Sequence, residues 1–393
     1  MSTTFTLTHL RIWDGIADDY RGDADAIRVE NGQITRIGDS ATLSQGQADV
    51  RDMSGLTAIP GLIDAHVHLC LDPEIKSAED QAEESPESLY AAMQKRAEAM
   101  VKAGITTARD LGGGQWLELK LRDAINQGEF TGPRLWCAGQ PITSPRGHCY
   151  FWGGEAASLG DAYTVMQRQI EHDVDLIKVM ASGGNLTPNS APVDSQFDLP
   201  TLTAIVQAAE NHGYMVAAHC HGTDSICNAG AAGVRTIEHC SWVGQEGWGM
   251  DYNPEAAALI AEKGIWVSPT INAGWQRYIG SKRFEPRVKD IYHEMRAAGV
   301  KLIASTDAGI PNVLHHELAK ALPMFAHFAS LSPVETLRAA TSDCAFAIGL
   351  GDVTGALNPE LSADLLLLDG DPLTDLACLT QPASVIARGH VVV

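Results

Sequence analysis

Between residues 59 and 306 the chain alternates helical stretches with short apolar runs. Gly104 leads into Ile105-Thr-Thr-Ala-Arg-Asp110, Gly213 into Tyr214-Met-Val-Ala-Ala-His219 and Gly233 into Val234-Arg-Thr-Ile-Glu-His239. Gly264 leads into Ile265-Trp-Val-Ser268 and Gly299 into Val300-Lys-Leu-Ile-Ala-Ser-Thr306. Glycine just past a helix takes the left-handed conformation that closes it, and an apolar run of this length fits a strand buried on both faces. Helix starts agree with this punctuation. Ser85-Pro86, Asn253-Pro254 and Ser332-Pro333 each set a capping side chain before a proline at the first helical position, and Ser332 with Glu335 spells a capping box.

Three further strands are expected over residues 59–68, 134–138 and 174–180. Eight strands alternating with helices imply right-handed parallel βαβ units, and eight close into a (β/α)8 TIM-type barrel. A doubly wound sheet is the other solution, but no glycine fingerprint follows the first strand. The ends of the chain change character. Residues 5–58 carry alternating runs around an Asn31-Gly32 hairpin turn, and the tail repeats the pattern in Ala363-Asp-Leu-Leu-Leu-Leu-Asp369 and Ser384-Val-Ile-Ala-Arg388. A small β-sandwich domain built from both termini, 1–58 plus 352–393, is therefore expected around a barrel over 59–351.

Composition narrows the function. The 28 Lys and Arg against 49 Asp and Glu leave a net charge of −21, which argues against a nucleic-acid partner. No apolar run approaches a membrane span and the first residues do not read as a signal peptide. Eight cysteines without CxxC pairs suit reduced thiols in a cytoplasmic protein. A small-molecule substrate is the remaining expectation; a homo-oligomer is left open. The acidic segment 72–87 reads as a solvated helix start, or as a loop over the first strand's end.

The strongest chemical signal is Pro60-Gly-Leu-Ile-Asp-Ala-His-Val-His68. Strand positions two apart share a face, so Asp64, His66 and His68 point one way, as two metal ligands with a carboxylate orienting them from behind. Lys178 sits among Leu176, Ile177, Val179 and Met180. Burial there lowers its pKa, and a neutral lysine can add carbon dioxide to give an anionic carbamate ligand. His219, His239 and Asp307 end the fifth, sixth and eighth strands in a common register. Taken singly, each has a plainer role, as a core histidine, a helix cap or an ion-paired lysine. Gathered at five strand ends of one barrel, where such barrels place their chemistry, they point to a metal centre.

These residues resemble the amidohydrolase superfamily in its binuclear form, with the opening Pro60-Gly-Leu-Ile-Asp-Ala-His-Val-His68 and the late Ser305-Thr-Asp-Ala-Gly309 close to family wording. Lys178-Val-Met-Ala-Ser-Gly-Gly184 and Ile237-Glu-His239 are similar to the group named after imidazolonepropionase, which includes Xaa-Pro dipeptidase-like and carboxypeptidase-like members. The resemblance implies two divalent ions, with zinc the first expectation. His66, His68 and Asp307 would hold one and His219 and His239 the other, bridged by carboxylated Lys178 and a hydroxide. Asp307 would act as general base and then acid. It also implies a substrate-holding role for His148, whereas His221 stands where dipeptidase relatives commonly carry a tyrosine. Imidazolonepropionases usually hold one metal and lack the strand-four lysine, so Lys178 points away from them.

Arg146 is the nearest cation for a substrate carboxylate, while His315 and His316 are placed equally well in the pocket or on the surface. Cys149, Cys220 and Cys240 read as small packing residues. The expected activity is hydrolysis of an amide bond in a dipeptide or N-acyl amino acid. Two alternatives stand beside it. One is hydrolysis of a cyclic amide, lactone or other C–N bond, deamination included. The other is a silent metal- or ligand-binding barrel, against which the intact ligand set argues.

Overall fold

The computed structural model describes residues 4–74, 77, 81 and 84–393. Of the acidic segment singled out above, Lys76, Glu79, Asp80 and Glu83 lie outside the described residues. The amino-terminal part forms β1 (Phe5–Thr8), β2 (Arg11–Ile12), β3 (Ala26–Glu30), β4 (Gln33–Gly38), β5 (Val50–Asp52) and β6 (Thr57–Pro60). Asn31 and Gly32 both have positive φ, as the tight β3–β4 hairpin requires.

The middle supplies β7 (Leu62–Val67), β8 (Ile105–Asp110), β9 (Arg134–Cys137), β10 (Ile177–Met180), β11 (Val216–Gly222), β12 (Thr236–Val243), β13 (Trp266–Ser268) and β14 (Lys301–Leu302). Each of the five punctuating glycines has φ between 65° and 93°, closing a helix just before its strand. The proline-marked helix starts are capped as read. Ser85 accepts from Ser88 N–H, Asn253 from Ala256 N–H, and Ser332 with Glu335 forms the full capping box.

These strands make two parallel sheets, β7-β8-β9 and β10-β11-β12-β13-β14. Backbone hydrogen bonds join them on both sides. Asp175 donates to Cys137 and Ile142 pairs with Val179; at the other edge Ala65 donates to Ala304 and Val67 pairs with Ala308. The last regular strand is shorter than expected, because residues 303–306 run on without a continuous ladder and turn at Asp307, whose φ is 60°.

The tail gives β15 (Leu365–Leu368), β16 (Ser384–Ala387) and β17 (His390–Val391), which pair with amino-terminal strands in the order β17-β16-β15-β6-β2. The other terminal sheet runs β4-β3-β1-β5. One buried cluster, including Phe5, Leu7, Ile27, Leu365 and Ile386, draws on both sheets. The expected first strand, 59–68, is thus two strands. It divides at Gly61, with β6 pairing β15 and β7 pairing β8.

Gly61 is where the chain passes from one sheet to the other, and its N–H donates to Asp364. A Cβ there would lie 2.0 Å from Thr106 Oγ1 and 2.4 Å from its Cγ2. Gly61→Ala is expected to destabilise the protein by about 1–3 kcal/mol through overpacking, seen as a lower thermal midpoint that the further change Thr106→Ala partly restores. An unaltered midpoint would show that the backbone here has room for a side chain.

Candidate active site

The carboxyl ends of the parallel strands meet at a cavity of about 420 Å³ lined by His66, His68, His148, Lys178, His219, His221, His239 and Asp307. Burial holds these imidazoles neutral, the form that ligates metal. His68 and His148 are pushed down to about 3 and His221 to about 4, while His66, His219 and His239 lie well below the ordinary value.

Each ring also has a partner that fixes which nitrogen faces inward. His66 Nδ1 donates to Glu238 at 3.0 Å and His68 Nδ1 to the Gly112 carbonyl at 2.9 Å. Both Nε2 atoms therefore carry lone pairs. They face each other at 3.3 Å and lie 3.3 and 3.5 Å from Asp307 Oδ1. With Asp307 ionised, three acceptors converge with no donor among them, and a cation satisfies such a set.

A second group comprises His219, His221 and His239. His219 Nε2 donates to the Gly183 carbonyl at 3.0 Å, leaving Nδ1 free, and His239 Nδ1 sits 2.8 Å from Thr270 Oγ1, leaving Nε2. His221 Nδ1 sits 2.9 Å from Ser241 Oγ, and its ring stacks on His239 at 4.3 Å. His239 and Asp307 have φ of 67° and 60°. Left-handed backbone at non-glycine residues costs on the order of 1–3 kcal/mol and is retained where the surroundings enforce a geometry. Here it turns two strand ends so that their side chains face the cavity.

Lys178 also lines the cavity, fully buried, with Nζ lacking any hydrogen-bond partner among the described residues. Desolvation lowers its pKa to about 8, against the opposing pull of Glu238. The same desolvation raises Asp307 to about 7, partly offset by Lys178. The lysine is thus both uncompensated and readily neutral, which fits a group awaiting modification or an ion.

The other expected residues divide. His148 is buried against the His219 ring at 4.6 Å, with its Nδ1 unpartnered among the described residues. Arg146, two residues away, is exposed, has φ of 55° and does not line the cavity. His316 is likewise exposed and off the cavity, while His315 is buried and donates to the His68 carbonyl at 3.0 Å. Asp64 does not orient the histidine rings; it accepts from Thr306 Oγ1 at 2.6 Å and from the N–H groups of His66 and Thr306, tying β7 to the turn before Asp307.

The orienting carboxylate is Glu238. It accepts from His66 and from Arg109 at 2.7 Å, and Arg109 in turn donates to the Ala65 carbonyl and Thr236 Oγ1. A glutamate and an arginine inside apolar strand runs were the sequence signal for this pair. The cavity's outer wall was also missed. It comes from Trp248 and from Asn272, Trp275 and Arg277 after β13, beside Asn185 and Leu186.

A model of the Amidohydrolase family matches residues 57–392. The chain belongs to the amidohydrolase family. It is a hydrolytic enzyme, and among the described residues no helix is long and apolar enough to cross a membrane. This amidohydrolase is 26% identical over 370 residues to ochratoxinase from Aspergillus niger, a match covering 83% of this chain and 73% of the relative. It is 26% identical over 396 residues to imidazolonepropionase from Deinococcus deserti, covering 91% and 88%. Among solved structures, a Xaa-Pro dipeptidase with methionine bound in its active site superposes with a TM-score of 0.85 at 26% identity, over 99% of each chain.

Two variants test the geometry of this amidohydrolase. Arg109→Met leaves buried Glu238 without its cation, and breaking such a pair costs about 3–5 kcal/mol; a large fall in thermal midpoint, together with weaker metal retention through His66, is expected. Gly184→Ala would set a Cβ 2.4–2.7 Å from the His148 ring atoms. It should lower kcat/KM by about 100-fold, the cost of a misplaced group, with metal content unchanged. Full activity in Gly184→Ala would remove His148 from the reaction.

Proposed function

We propose that this amidohydrolase cleaves an amide bond in a dipeptide or N-acyl amino acid at a pair of divalent ions. The observation that carries the reading is the placement of two acceptor groups, His66–His68–Asp307 and His219–His221–His239, on one cavity with Lys178, whose Nζ has no hydrogen-bond partner among the described residues. His66, His68 and Asp307 would hold one ion and His219 and His239 the other, with Lys178, carboxylated by carbon dioxide, between them. Zinc suits this nitrogen and oxygen set. The relatives support the substrate class, since one is named ochratoxinase and another is a Xaa-Pro dipeptidase holding an amino acid in its active site.

Bound there, the ions would polarise the scissile carbonyl and acidify water. Asp307, in the first group, would take a proton and return it to the leaving amine. His148, with Nδ1 unpartnered among the described residues, can hydrogen-bond the substrate's carbonyl or carboxylate. His221 lies within reach of His219 and His239 and serves as either a third nitrogen ligand or a substrate contact.

The same reading takes the eight parallel segments as a closed barrel over 59–351, supported by the hydrogen bonds that join both sheet edges. It assigns the described part of 1–58, with 352–393, to a β-sandwich domain beside it. The eight free cysteines are in keeping with a reducing, cytoplasmic setting.

Hydrolysis of a cyclic amide is the alternative that the imidazolonepropionase relatives bring. A panel of dipeptides and N-acyl amino acids set against lactams and aminated heterocycles separates the two, and turnover confined to the latter would overturn the proposal. Protein produced with zinc and bicarbonate should carry about two ions per chain. Lys178→Ala should lose at least one of them with at least a 100-fold fall in kcat, and a fully loaded, active variant would exclude a bridging carbamate.

A further inference from the structure

The cavity floor is made by strand ends, but its outer wall is a turn of 3-10 helix, Ala273–Tyr278. Asn272 ties this turn to the floor. Its Nδ2 donates to the Thr306 carbonyl, next to Asp307, and its Oδ1 accepts from Gly274 N–H at 3.1 Å. Trp275 and Arg277 both reach the cavity from this turn. Trp275 is held edge-on by Phe328 at 5.2 Å and Trp248 at 6.2 Å, giving an apolar wall with little freedom.

Arg277 is differently placed. It is exposed, as Arg146 is, but unlike Arg146 it lines the cavity; its guanidinium lies 4.7 Å over the Tyr278 ring and donates to Tyr278 Oη at 2.9 Å, and no carboxylate pairs with it among the described residues. Among the described residues, apart from buried Lys178, it is the lysine or arginine lining the cavity, and Asp307 is the lining carboxylate. In a chain of net charge −21, a guanidinium at the cavity mouth that no protein carboxylate engages is a site for an anion from outside. Its planar fork, stacked on Tyr278, is preoriented to grip a carboxylate.

We propose that Arg277 binds the free carboxylate of the substrate while the Trp248–Trp275 wall takes an apolar side chain. The enzyme then selects amides that end in a free apolar amino acid over their carboxamide counterparts. This rests on the amide-hydrolase reading, and its test includes an arm that does not. In kinetics with N-acetyl-L-phenylalanine and N-acetyl-L-phenylalaninamide, Arg277→Met should raise KM for the acid by about tenfold or more. It should leave kcat and the carboxamide's acetyl cleavage nearly unchanged.

Arg277→Lys should recover part of the loss, and added salt should narrow the acid's advantage in the parent. In calorimetry, which needs no turnover, L-phenylalanine should bind the parent more tightly than L-phenylalaninamide, and Arg277→Met should erase that difference. Equal loss for acid and carboxamide would make Arg277 a support for the turn only, and no preference in the parent would equally overturn the proposal. A parent that cleaves none of the dipeptides and N-acyl amino acids of the panel, yet binds L-phenylalanine over its carboxamide in an Arg277-dependent way, would overturn the proposed substrate class and leave the Arg277 site standing.

Discussion

The carboxylate of Glu238 is the point on which the interior depends. It is fully buried and accepts from three side chains, Arg109 at 2.7 Å, Thr236 at 2.5 Å and His66 at 3.0 Å. Through Arg109 the network reaches the Ala65 carbonyl, so β7, β8 and β12 are joined by buried side-chain hydrogen bonds. A buried ion pair of this kind adds little net stability compared with an apolar replacement, since desolvation offsets the attraction. Its effect is geometric. With Nδ1 of His66 committed to Glu238, the ring's other nitrogen is fixed in place and in protonation state, as an orienting carboxylate does for a metal-binding histidine.

The same logic is repeated around the cavity with different partners. Carbonyls of Gly112 and Gly183 hold His68 and His219, and a hydroxyl of Thr270 stands against His239. Desolvation disfavours the charged imidazolium at every one of these positions. Burial and hydrogen bonding therefore act together, one keeping the rings neutral and the other choosing which lone pair faces inward. The left-handed turns at His239 and Asp307 complete the arrangement, because a strand continued in ordinary geometry would carry the next side chain to the far face.

What the sequence made legible was local. The glycine-closed helices, the proline-capped starts and the His66–His68 spacing each depend on a few adjacent residues, and the structure places all of them as expected. The gathering of Lys178, His219, His239 and Asp307 followed from register alone, since parallel strands bring equivalent positions to one end. Pairings across long separations were not legible. Arg109 and Glu238 are 129 residues apart, and nothing in either run says which buried charge meets which. The division of the first strand at Gly61 was hidden because both halves are apolar, and only the pairing of β6 with β15 separates them.

The loops failed for a further reason. Arg146 is close in sequence to His148, yet its backbone turns at φ of 55° and the side chain is exposed, off the cavity. Arg277 reaches the cavity because Asn272 anchors its turn to the Thr306 carbonyl, a bond across 34 residues that no periodicity announces. Strand ends obey the register of a sheet, whereas a loop's position is set by whichever side chain ties it down. The histidine-lined floor and the outer wall of the cavity thus rest on different constraints: the floor on hydrogen-bonded strands and a buried charge network, the wall on one asparagine and a cluster of aromatic rings. Changes confined to the wall can therefore reshape the cavity's outer face without disturbing the ring nitrogens beneath it, in keeping with folds that carry different sites on one scaffold.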